Sequence, residues 1–93
     1  SAGILICRSG IGNSMVANKI PGIRAALCCN RRAARLSREH NDANILALGA
    51  DFINKSEVNQ IVNTWLTTDF QGGRHNRRVN QISKIEKMVF KKS

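Results

Sequence analysis

An α/β domain, with helices on the faces of a parallel sheet, is the fold class this chain predicts, and three observations predict it. Short apolar runs recur at residues 3–7, 23–28 and 44–48, each bounded by turn residues. Helical stretches separate them, and strand–helix alternation is the pattern of parallel sheets joined by crossover helices. The chain's 93 residues, 42% of them hydrophobic, fit one thin-cored domain spanning 1–93.

Gly3-Ile4-Leu5-Ile6-Cys7 reads as a continuous buried strand. The loop Arg8-Ser9-Gly10-Ile11-Gly12 follows it, and Asn13 to Lys19 forms a short helix stopped by Pro21 and Gly22. Ile23 to Cys28 is the second strand. Asn30 to His40 is a second helix, with Ala33, Ala34 and Leu36 set among arginines, and Asn44 to Leu48 is the third strand. Ser56 is the expected N-cap of a third helix, whose stripe is Val58, Ile61, Val62, Trp65 and Leu66. Gly72-Gly73 breaks the chain. From about Arg74, the residues Val79, Ile82, Ile85 and Val89 recur at helical spacing, edged by Lys84, Lys87, Lys91 and Lys92. That seam needs a surface to lie on, in the same domain or in a twofold partner.

Fifteen Lys and Arg against six Asp and Glu give a formal charge of +9, which favours polyanions, phosphorylated ligands or acidic partners. No run approaches the ~18 apolar residues of a membrane span, and glycine and arginine interrupt the opening run too early for a signal peptide. Cys7, Cys28 and Cys29 are odd in number and lack CxxC spacing, so neither a disulfide framework nor a zinc site is expected. Reduced thiols point to the cytoplasm.

Cys7 is the first candidate for chemistry. A thiol at the carboxyl end of a strand, emptying into a glycine loop and a helix start, places a nucleophile or base beside an anion-binding cradle. The competing reading is a small buried hydrophobe at a strand end. Ser9-Gly10-Ile11-Gly12 has no Gly-Lys-Ser/Thr and no third glycine of a dinucleotide fingerprint, so it is a weak motif that still supplies backbone N–H groups. His40 and Asn41 close the basic helix, where turn formation and acid/base work are both open readings. Arg74 and Arg78 stand four apart on one face of the last helix and suit a phosphate. Arg31, Arg32, Arg35 and Arg38, with Lys91 and Lys92, read as solvated surface.

Taken in order, Gly3 to Cys7, Ser9 to Gly12, Ala17-Asn18-Lys19, Gly22 to Cys28, Arg38 to Asn44 and Gly72-Gly73-Arg74-His75 resemble the ribose-5-phosphate isomerase B family, which includes the galactose-6-phosphate isomerase chains. The resemblance implies a Rossmann-like three-layer αβα sandwich whose last helix packs at a dimer interface. It also implies aldose–ketose isomerisation of a sugar phosphate without metal or cofactor. Cys7 then matches the base that moves a proton between C1 and C2. His40 matches the acid that opens the ring, and Asn41 a sugar contact. The stretch Arg8, Ser9, Gly10, Ile11 and Gly12 matches the backbone that cradles the enediolate, and Arg74 and Arg78 match the phosphate ligands. A homodimer or higher oligomer is implied, with the site at the subunit interface.

Three features depart from the family pattern. The opening strand with its Asp-His pair is not in these residues, so the 93 residues alone are expected to be inactive. Arg8 stands where the family has glycine, and Asp51 where many members have another arginine. Galactose-type chains divide the cysteine and histidine between two subunits, whereas Cys7 and His40 share this chain, which favours the pentose phosphate. A basic nucleic-acid-binding module is the reading from another class. It is opposed by the absence of tyrosine and of any helix-turn-helix, zinc-finger or RNA-recognition pattern. An inactive isomerase relative kept for assembly is the third reading.

Overall fold

The computed structural model describes residues 1–90; Lys91 and Lys92, expected on the basic edge of the last helix, lie outside the described residues. The elements alternate as β1 (Gly3–Cys7), α1 (Ile11–Ala17), β2 (Ala25–Leu27), α2 (Arg31–Asn41), β3 (Ile45–Gly49), α3 (Lys55–Thr67) and α4 (His75–Phe90). The strands form one parallel sheet in the order β1-β3-β2, with Cys7 beside Gly49 and Leu27 beside Ala47.

The chain passes from β1 over β3 to β2 through α1, then turns back to β3 through α2. Right-handed connections running in opposite directions put α1 and α2 on opposite faces of the sheet. On one face, α2 and α3 cover Leu46 and Leu48 and complete the core with Cys28, Ala34, Ala43, Ile53, Ile61 and Trp65. Burial pushes the Cys28 thiol above its ordinary value; a hydrogen bond with Ser37 opposes this and nearby Cys29 adds to it. Cys28 is therefore a core residue in its chemistry as well as its position.

Residues 3–7 form a strand, but not the continuously buried one expected. Ile4 and Ile6 stay 37% and 58% exposed. They pair with Leu46 and Leu48, so they share the face of α2 and α3, but β1 is an edge strand beyond the cover of those helices. The central β3 is the buried strand, closed throughout from Leu46 to Gly49.

Other expectations shift for local reasons. The first helix starts at Ile11 rather than Asn13, because Gly10 at φ 77° turns directly into it. β2 is shorter than 23–28: the Asn44 side chain, not a ladder partner, accepts the Arg24 N–H at 2.8 Å. The third helix is capped by Asn54, not Ser56. Asn54 accepts the Glu57 N–H at 3.0 Å while the Glu57 carboxylate accepts the Asn54 N–H at 3.5 Å, and only the three-residue spacing allows that exchange. The last helix starts at His75, leaving Arg74 in the turn before it.

Arg31, Arg32 and Arg35 are exposed, as expected. Arg38 is not. It donates to the Thr68 carbonyl at 3.1 Å and the Ala43 carbonyl at 2.7 Å, and its guanidinium lies 4.5 Å from the Trp65 ring centroid. One side chain thus ties the segment after α3 and the segment before β3 to α2. Along α4, Ile82, Ile85 and Val89 remain 37%, 61% and 62% exposed. No helix among the described residues is long and apolar enough to cross a membrane.

Candidate active site

The loop after β1 goes to the α1 face and the loop after the adjacent β3 goes to the opposite one, which makes a crevice at the carboxyl edge of the sheet. Two hydrogen bonds join the loops: the Cys7 carbonyl accepts from the Ala50 N–H at 2.7 Å, and the Arg8 carbonyl from the Asp51 N–H at 2.9 Å. Cys7, half-buried, opens the crevice. Its Sγ accepts the Gly10 backbone N–H at 3.0 Å. Ser9 Oγ accepts the Ile11 N–H at 3.2 Å, and nothing lies within 4 Å of where a Cβ on Gly12 would be. Ser9 and Ile11 also face an adjoining cavity of about 420 Å³, closed by Leu27, Cys28, Gly49 and Phe52.

Two glycines make this close approach possible. Gly10 is buried at positive φ, where a Cβ would fall 2.6 Å from Leu27 Cδ1. Gly49, which ends β3, lies against Ser9, and a Cβ there would come within 2.6 Å of the Ser9 carbonyl carbon. Gly49→Ala is therefore expected to push the Ser9 loop off β3 and cost about 2 kcal/mol or more, since a clash with backbone cannot be relieved by a rotamer change. Urea unfolding would measure the cost, and an unchanged midpoint would refute the close contact. Gly49 was not singled out in the sequence; its signal there was a glycine closing the most apolar strand.

Arg8 adopts no left-handed conformation, since Asp42 at φ 49° is the one non-glycine with positive φ among the described residues. Its side chain is 92% exposed and its Nε lies 3.5 Å from Asp51 Oδ2. The two departures from the family pattern thus face each other at the rim as an ion pair. Solvent screens such a pair, so its contribution to stability is small.

His40 and Asn41 lie elsewhere. They end α2, which runs antiparallel to the strands, so they sit near the amino edge of the sheet where β3 begins. Arg38 fixes this corner through Thr68 and Ala43, and the Gln71 N–H donates to the Glu39 carbonyl at 3.1 Å. Gly72 and Gly73, at φ 67° and 55°, then turn the chain so that the start of α4 faces the end of α2. His75 stacks on His40, with ring centroids 4.1 Å apart and planes 16° from parallel. Around them Asn41, Arg74, Arg77, Arg78 and Gln81 line a cavity of about 670 Å³. Partial burial, then His40 and Arg74, hold the His75 imidazole below the usual histidine value, with Glu39 opposing.

The sequence candidates therefore fall into two groups. Cys7 with the Arg8–Gly12 backbone occupies the carboxyl edge; His40, Asn41, Arg74 and Arg78 occupy the amino edge. Cys7 is level with Gly49, and from Ile45 to Gly49 β3 rises ~13 Å. In the sequence His75 only follows the Gly72-Gly73-Arg74 turn, and nothing in spacing pairs it with His40; the fold brings the two rings together.

A family described as ribose/galactose isomerase matches residues 1–82. Ribose-5-phosphate isomerase B of Escherichia coli is 48% identical over 84 residues, which are 90% of this chain and 56% of that protein. The structure of ribose-5-phosphate isomerase B from Clostridium thermocellum superposes with a TM-score of 0.92 at 57% identity, covering 95% of this chain and 60% of that one. The Mycoplasma genitalium ribose-5-phosphate isomerase B with bound ribulose-5-phosphate gives 0.89 at 45% identity, covering 92% and 57%. The chain spans a little over half the length of these relatives. With the family pattern matched across residues 1–82 and the parallel αβα architecture in place, the chain belongs to the ribose/galactose isomerase family.

Proposed function

We propose that residues 1–93 form a single domain, the carboxyl-terminal major part of an enzyme that interconverts ribose 5-phosphate and ribulose 5-phosphate. The observation that carries this reading is the Cys7 sulfur held at 3.0 Å by the Gly10 amide, inside a loop of backbone donors. A strand-end thiol set among N–H groups suits proton transfer beside a developing oxyanion. His40 gives a proton to the ring oxygen and the sugar opens. Cys7 removes the proton from C2, backbone N–H groups from Arg8 to Gly12 meet the enediolate oxygen, the proton of the C2 hydroxyl passes to the C1 oxygen, and the thiol returns its own proton to C1. Asn41 holds a hydroxyl, and Arg74 and Arg78 grip the phosphate through charge-assisted bonds. The hydrogen travels as a proton and the electrons stay within the sugar, so no redox cofactor is required. The bound ribulose-5-phosphate of the Mycoplasma relative supports this substrate class. Cys7 and His40 on one chain favour the pentose phosphate. Three free cysteines fit a reducing cytoplasm.

The two groups lie too far apart in one chain to act on one pentose, so we infer a homodimer in which Cys7 of one copy meets His40, Asn41, Arg74 and Arg78 of the other. The exposed seam of α4 fits a role in that interface. Mixing full-length Cys7→Ala and His40→Ala proteins tests both ideas. Random reassortment across a twofold axis restores one intact site in half of the dimers, about a quarter of wild-type turnover in a coupled assay. No recovery after exchange of subunits would exclude the shared site. No turnover by the wild-type protein would exclude the isomerase reading.

A further inference from the structure

The His40–His75 stack is more than a packing contact, because of what surrounds it. Nearly parallel imidazoles 4.1 Å apart disfavour two positive charges side by side. The groups facing it are mostly cationic: Arg74 in the turn before α4, with Arg77 and Arg78 in its first turn. Glu39 on α2 is the acidic group that bears on the pair, and Asn41 and Gln81 are neutral. An empty pocket therefore opposes a charged stack, and His75 lies below the usual histidine value in agreement. An anion among the three guanidiniums would reverse that balance, because it cancels the field that keeps the proton away.

We propose that the stack is charged by the ligand: when a phosphate monoester dianion enters this cavity, one proton moves from solvent onto the His40–His75 pair. His75 is then a positioning residue that acts through His40. The role of the captured proton rests on the isomerase reading. It passes from His40 to the ring oxygen as the bond between that oxygen and C1 breaks, and the anomeric hydroxyl proton returns to the pair as the carbonyl forms. The acid is thus armed when a phosphorylated ligand is present and disarmed when the cavity is empty.

Calorimetry of the full-length protein with inorganic sulfate tests this, since sulfate is a dianion that does not titrate near neutral pH. Titrations near pH 7 in two buffers of different ionisation enthalpy read the protons taken up per site. Wild type is expected to take up a clear fraction of a proton, and the uptake should shrink as pH rises, because protons become scarce. His75→Phe keeps an aromatic ring on His40 but removes one titrating group, and should reduce the uptake at least about twofold while sulfate still binds. Sulfate binding without proton uptake in wild type, equal uptake in His75→Phe, or no sulfate binding would each overturn the proposal. Uptake without turnover would instead sink the isomerase reading and leave the coupling intact, and turnover without uptake would do the reverse.

Discussion

Cys7→Ala in the full-length protein is expected to lower isomerase turnover by ~10³-fold, within the usual range for removal of a positioned base, and to lower the thermal midpoint only modestly, the loss coming from the Gly10 N–H left without its Sγ acceptor. The small structural effect follows from position. Cys7 ends an edge strand, is half-buried, and keeps its ladder in the variant because the Ala50 N–H bonds to its carbonyl, not its side chain. The loss of activity follows from chemistry. The nearby carboxylate, Asp51, is paired with Arg8 at 3.5 Å on the loop after β3 and does not take its place. Cys7→Ser separates acidity from shape, since a hydroxyl of similar size is far too weak an acid to serve as the base near neutral pH, so turnover should fall almost as far. Substrate affinity should change little, because Arg74 and Arg78 hold the phosphate. Undiminished turnover in both variants would remove Cys7 as the base.

How much of this was legible in the sequence depends on the range of the interactions involved. The parallel sheet was legible, because Ile-Leu-Ile and Ile-Leu-Ala-Leu runs alternate with helical stretches. The exposure of Ile4 and Ile6 was not, since the order β1-β3-β2 is a long-range fact and an edge strand can carry the same run as a central one. The cap of α3 is legible locally: Asn54 and Glu57 have the spacing of a reciprocal cap and Ser56 does not. Arg38 could not be told from its exposed neighbours Arg31 and Arg35, because its partners Ala43, Trp65 and Thr68 come from other segments. The residue types at the site were readable through the family resemblance, but their distribution over two edges of the sheet was not. Spacing along the chain says nothing of which end of an antiparallel helix meets which end of a strand.

Trp65→Ala is expected to cost about 4 kcal/mol, in line with removal of a fully buried aromatic. Trp65 is 0% exposed and is the largest of the fully buried side chains among the described residues, with Leu46, Leu48 and Ile61 next in size. Its ring also carries the Arg38 guanidinium, so alanine leaves both a cavity and a cation without its aromatic face. A domain of this size has a total stability of only ~5–10 kcal/mol, so a substantial unfolded fraction is expected in the variant at physiological temperature. Trp65→Phe separates the contributions. The indole Nε1 is buried without a hydrogen-bond partner, so phenylalanine loses no bond and should recover most of the stability at a cost of roughly 1 kcal/mol. Urea unfolding followed by circular dichroism makes the comparison, because Trp65 is the one tryptophan and fluorescence disappears with it. The consequence reaches the site: Arg38 holds the corner that carries His40 and Asn41, so Trp65→Phe should retain turnover, whereas Trp65→Ala at low temperature should weaken substrate binding before it unfolds the chain. Equal stability of the alanine and phenylalanine variants would refute the packing account.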